Sequence, residues 1–259
     1  MKTQDRCSSR KAESRCRSTE DIQVVQPFPS GGLLGENLSL PLSQLADRIG
    51  GIEGEAYSYV VSTVRWNHET TTFEQHGSAP NFQGGVLTLC TCKHQMRTGR
   101  AIGDWKGVWL AGVTSRTIHD GRHWLFYLAV IKSAYESHAD LWAGMNAGAR
   151  RAKAAHAHYL GDIFQPKSPP PTSDARFSPS RYITPQIHIH RWRGEDGWHN
   201  DISYHLAHRL GHPPLLMADP RRTFLWDEPM IYFAGGHGRN YLKWSSLREL
   251  STKLRGTGP

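Results

Sequence analysis

Apolar and polar residues alternate through "EAYSYVVSTVRWN" (residues 55–67), a stretch rich in β-branched and aromatic residues, which predicts a strand. "VLTLCTC" (86–92) and "VWLAGVTS" (108–115) read as two more strands. "WLFYLAVIKSAY" (124–135) is apolar enough to be a central one. Between the last two lies "IHDGRH", whose Asp-Gly pair predicts a hairpin turn. "YITPQIHIHRW" (182–192) resumes strand character, and "HPPLLMADPRRTFLWDEPMIYFAGG" (212–236) alternates short strands with turns.

Elsewhere the period changes to that of a helix. In "LSLPLSQLADRIGG" (38–51), Leu42, Leu45, Ala46 and Ile49 fall on one stripe, Ser39 could cap it, and Gly50-Gly51 stop it. "SHADLWAGMNAGARRAKAAHAHYL" (137–160) is alanine-rich, but its two glycines predict a broken or short helix. "SSLRELSTKL" (245–254) predicts a small helix capped by Ser245 or Ser246. The sum is an α+β fold, mostly antiparallel, with peripheral helices. Barrel closure would protect its edges.

The first 35 residues are rich in Ser, Arg, Lys, Gln and Pro and read as a flexible polar tail. Residues 36–55 read as a short helix and linker. Residues 56–259 read as one domain, interrupted by a Pro/Ser-rich loop at 165–180. No apolar run reaches the roughly 18 residues of a membrane helix, and no secretory leader is apparent, so a cytoplasmic protein is expected.

A formal charge of +8 favours polyanionic partners. The 40 residues from Gly103 to Trp142 hold four tryptophans beside basic residues. A base has two flat faces and a hydrogen-bonding edge, so a reader needs an aromatic wall, an amide and nearby cations. Trp105, Trp109 and Trp124 are candidate walls, with Trp105 and Trp109 expected to share one strand face. Asn81 is the candidate amide, and Lys93, Arg97 and Arg100 are candidate phosphate partners. Each has a structural alternative: tryptophans belong to cores, and Asn81 suits a turn beside Pro80.

Other chemistry is less specific. Cys90 and Cys92 alternate, which predicts that both point to one sheet face as packed thiols. Their spacing is unlike a zinc knuckle. His188 and His190 share a strand face and could chelate a metal near Asp201, although fifteen histidines make chance pairs common. Asp104, Asp162, Asp201 and Glu228 are possible acids, and Cys90 or Cys92 possible nucleophiles, but none has a diagnostic spacing. Asp104 could equally serve only to build a turn. No phosphate loop, dinucleotide fingerprint or deaminase pattern occurs, and no cofactor is implied.

The run "AIGDWKGVWLAGVTS…HWLFYLAVIKSAYESHADLW" resembles the central hairpin of PUA-like barrels of the EVE, YTH and ASCH types. "SAPNFQGGVLTLCTCKHQMRTGRAIGDW" (78–105) more closely resembles the nucleotide-modification-associated domain family. The matching residues are Pro80, Asn81, Gly84, Thr88, Leu89, Cys92, Lys93, Met96, Arg97, Gly103, Asp104 and Trp105. "GWHNDISY" stands where that family has a Gly-Asp-Asn-Ile stretch. His94 departs from the expected proline, and "RRTFLWDEP" is a bulky insertion.

The resemblance implies a PUA-like β-barrel and a nucleic-acid partner, DNA before RNA, in DNA base modification or defence. It also implies a base-binding pocket near Asn81 and Trp105, which Ser115 at a strand end would join. The alternatives are an enzyme acting on a nucleotide or nucleobase through Asp104 or Cys92, and a protein-interaction module.

Overall fold

The computed structural model describes residues 25–77, 79–155, 162–185, 195–207, 211–238 and 240–257. Two short helices lead in: α1 (Gly32–Glu36) and α2 (Leu42–Ile49). Gly50 ends α2 at φ 65, a left-handed angle that suits a residue without Cβ. The strands that follow are β1 (Ala56–Val61), β2 (Val64–Asn67), β3 (Thr72–Gln75), β4 (Thr88–Leu89), β5 (Trp109–Thr114) and β6 (His123–Tyr135). Past β6 come β7 (Leu215–Leu225), β8 (Ile231–Phe233), β9 (Tyr241–Trp244) and β10 (Leu254–Gly256). Further helices are α3 (His94–Thr98), α4 (His138–Gly144), α5 (Ala147–Ala155), α6 (His199–Ile202), α7 (Tyr204–Ala207) and α8 (Leu247–Ser251).

Eight strands form one sheet in the order β10-β8-β6-β5-β1-β9, with β7 pairing β6 and β4. The sheet curls into a half-barrel, mixed α+β and mostly antiparallel. β1 and β5 are the exception and run parallel. β2 and β3 form a separate hairpin.

β6 is the spine. It pairs β5 along one edge, then β8 and β7 in turn along the other. Its first nine residues are buried, as its apolar sequence predicts. Side chains divide between two core layers. Phe126, Ala129 and Ile131 join Tyr57, Tyr59 and Trp105 in one, whereas Leu125, Leu128 and Val130 join Trp109, Trp226 and Trp244 in the other. Gly112 is required where β5 crosses Tyr127, because a Cβ there would strike that ring and stand 2.7 Å from Val61 Cγ2.

Several expected boundaries shift. Within the polar stretch expected to reach residue 35, Gln26 is buried; its Oε1 accepts from the Phe82 N–H at 2.8 Å. The expected strand 55–67 turns at Ser62-Thr63 and continues as the separate β2. Ser39 does not cap α2; its hydroxyl donates to Asp227 Oδ1 at 2.5 Å, and Pro41 occupies the cap position. In the second strand only Thr88 and Leu89 join the ladder, since the Cys90 N–H turns to Asp162 Oδ1 at 2.9 Å. The two cysteines therefore part: Cys90 is buried and Cys92 exposed. Residues 183–185 form no strand. His188 and His190 lie outside the described residues.

The alanine-rich region breaks as expected, into α4 and α5. Ser137 caps α4 by accepting from the Asp140 N–H, and Ser246 caps α8 from the Glu249 N–H, each at 3.2 Å. No helix among the described residues is long and apolar enough to cross a membrane.

Candidate functional site

The basic connection between β4 and β5 folds into α3, a spur of five residues with a cleft at each end. Arg97 fixes it. This guanidinium is fully buried and donates to the carbonyls of Cys90, Cys92, Pro213 and Pro214. Burial pulls its pKa below the ordinary value, although Cys90, Cys92, Asp162 and Asp201 oppose that pull. Arg97 is thus spent on the chain's own backbone and has no surface for a phosphate.

The first cleft, of about 300 Å³, lies between α3, α7 and β9 and is lined by Lys93, His94, Gln95, Met96, Tyr204, Asn240 and Tyr241. Lys93 precedes α3 at φ 57, and its ammonium stands 5.1 Å over the Tyr59 ring. Burial lowers its pKa. The Tyr59 hydroxyl accepts from Tyr127 at 2.6 Å, and burial holds the Tyr59 pKa well above the usual phenol. On the other side, the His94 ring tilts against Tyr204 at 4.3 Å, and His94 Nε2 lies 3.0 Å from Asp201 Oδ1. Tyr241 is half-buried and backed by a ladder of rings, with Tyr57 at 5.9 Å and then Trp105 another 5.3 Å from Tyr57. The cleft therefore combines aromatic rings, an exposed amide at Asn240 and a cation.

The second cleft, of about 380 Å³, opens at the other end of α3 beside Arg100, Glu136, Phe177 and His212. Arg100 pairs with Glu55, which also holds Lys243 at 2.7 Å. Those two cations hold the Glu55 carboxyl below its usual range.

The expected base-binding residues do not meet. Trp105 is 0% exposed and its indole donates to the Arg97 carbonyl at 3.2 Å. Trp109 is also 0% exposed but faces the opposite core layer. The two were expected on one strand face; instead Trp105 closes a 3₁₀ turn, and Gly107 at φ 85 separates it from β5. Trp124 is buried, donates to the His119 carbonyl at 3.1 Å, and packs against Tyr232. Ser115 is half-buried at the far end of β5, 3.0 Å from the Thr117 hydroxyl. Asp104 is exposed, and its backbone N–H closes the turn onto the Ala101 carbonyl.

Asn81 is buried in a polar network. Its Oδ1 accepts from the Gln83 N–H at 3.0 Å and from Lys153 Nζ at 2.7 Å. Lys153, on α5, also donates to the Asn81 carbonyl, the Val86 carbonyl and Thr88 Oγ1. Thr88 in turn donates to Asp162 Oδ2 at 2.6 Å. Burial pulls the Lys153 pKa down to about 8 and pushes Asp162 up. This network ties α5 and residue 162 to the start of β4. Ser58 Oγ meets His237 Nε2 at 2.8 Å, but that serine is fully buried and also accepts from the Trp244 indole.

Sequence reasoning missed Tyr204, Tyr241 and Asn240. They sit in short segments whose pattern marks a turn and an edge strand, and only the fold brings them to Lys93. No family model, curated protein or solved structure matches the chain.

Proposed function

We propose that the protein is a cytoplasmic nucleic-acid-binding module of PUA-like type, related to the nucleotide-modification-associated domains. It takes one unpaired base, ordinary or modified, into the cleft between α3 and β9. The observation that carries this reading is the meeting of Tyr204, Tyr241, Asn240 and Lys93 around a cleft of about 300 Å³. That volume is at the lower end of small-ligand pockets and suits a single heterocycle. Stacking contributes about 1–3 kcal/mol per base, and extruding a paired base costs a few kcal/mol. The balance favours single strands, mismatches and duplex ends over intact duplex. DNA is the expected partner on the family resemblance.

The test is anisotropy titration of a labelled single strand and its duplex at two salt concentrations. The single strand binds more tightly, and affinity falls as salt rises because bound phosphates release counterions. Lys93→Gln lowers the salt slope by about one. Salt-insensitive binding, or no binding to either strand form, rejects the reading.

A further inference from the structure

A second site is carried by different residues. His205 on α7 and His212 ahead of β7 hold their ring centres 5.6 Å apart, at 62° between planes. The Nδ1 atom of each ring is buried and meets no partner at hydrogen-bond geometry, although the Pro213 carbonyl also acts on the His212 ring. His212 Nε2 lies 3.0 Å from the Ile202 carbonyl. A carbonyl only accepts, so Nε2 carries the proton and Nδ1 carries the lone pair. Metal-binding imidazoles are oriented in this way, through a backbone carbonyl on the nitrogen that does not ligate.

The spacing agrees. A metal about 2.1 Å from each nitrogen sits about 3 Å from each ring centre. Tetrahedral to trigonal angles then put the two centres about 5–6 Å apart. Burial, with Arg97 nearby, pulls the His212 pKa down to about 4, so the ring is neutral and able to ligate at neutral pH. Arg97 opposes a cation at His212 and so limits the affinity of the site. Phe177 packs on both imidazoles, at 4.7 Å from His205 and 5.0 Å from His212. His212 also lines the 380 Å³ cleft, from which water could fill the remaining coordination positions.

We infer that His205 and His212 form an open two-imidazole site for a late first-row transition ion such as Zn²⁺. Among the described residues no third histidine, cysteine or carboxylate completes the set. The site is therefore of moderate affinity, with exchangeable positions facing the cleft.

Isothermal titration of the chelator-stripped full chain with Zn²⁺ at pH 7.5 tests this. One saturable site is expected, and His205→Gln and His212→Gln each weaken it at least tenfold while the far-ultraviolet spectrum is unchanged. Where a variant fails to fold, crystals of the unaltered protein grown with Zn²⁺ decide, by an anomalous peak between the two rings. Absence of saturable binding, wild-type affinity in a folded variant, or a peak only at other positions overturns the assignment.

Discussion

Lys153→Met tests the buried polar network. The side chain is fully buried, and its ammonium donates to four oxygens at 2.7–3.3 Å. Methionine keeps the volume but withdraws the ammonium: Asn81 Oδ1 and the Asn81 carbonyl keep the Gln83 and Thr88 N–H donors, while the Val86 carbonyl loses its lysine partner and Asp162 its neighbouring cation. Removing one partner of a buried charged set costs about 3–5 kcal/mol. At neutral pH the variant should lose about that much, or about 10 °C in melting temperature. The pH dependence is more specific. The folded pKa is about 8 against an ordinary value of 10.5, a difference worth about 3 kcal/mol. Below pH 8 both states hold the proton, and the folded protein bears the full cost of burying it. Between the two values the unfolded chain binds more proton, so stability attributable to Lys153 rises with pH. Cys90, Tyr59 and Tyr127 act oppositely, because burial raises their pKa values and stability is lost as pH climbs past their unfolded values. Tyr59 and Tyr127 are common to both proteins and cancel in the difference, whereas Cys90 loses in the variant the Lys153 charge that lowers its pKa, which widens the gap further at high pH. Urea unfolding followed by tryptophan fluorescence, from pH 7 to 9.5, should show the gap between wild type and variant widening. A gap under about 1 kcal/mol, or one that stays flat with pH, refutes the network's role.

Trp105→Ala removes a fully buried indole and should cost about 3–5 kcal/mol, so a variant as stable as wild type in urea would contradict its core placement. Gly112→Ala should destabilise by about 1–3 kcal/mol through its clash with Tyr127, read as a lowered melting temperature; an unchanged one would mean the strands are not packed as described. Asp104→Asn alters an exposed side chain and should leave stability within about 0.5 kcal/mol; a larger loss would show that its carboxylate does more than occupy a turn.

The sheet was largely legible because its strongest signals were local. The apolar run of β6, the alternation of β1 and the serine caps of α4 and α8 each depend on neighbours in sequence. The candidate site was less so. Lys93 was identified and does line a cleft, but a tryptophan gives the same signal whether it packs in a core or walls a ligand. The period-two argument for Trp105 and Trp109 failed because it assumed a strand where Gly107 permits a turn. Asn81 was noticed as an amide beside a turn, yet its partner Lys153 is 72 residues away. Tyr241 gave no signal at all, since an edge-strand tyrosine is common and only tertiary packing sets it opposite Tyr204.

The most direct measurement compares an oligonucleotide carrying one unpaired base with the same strand made abasic at that position, for wild type and for Tyr241→Ala. Wild type should prefer the base by about 1–3 kcal/mol, and the variant should lose that preference while still binding the backbone. Equal affinity of wild type for both strands would contradict the account.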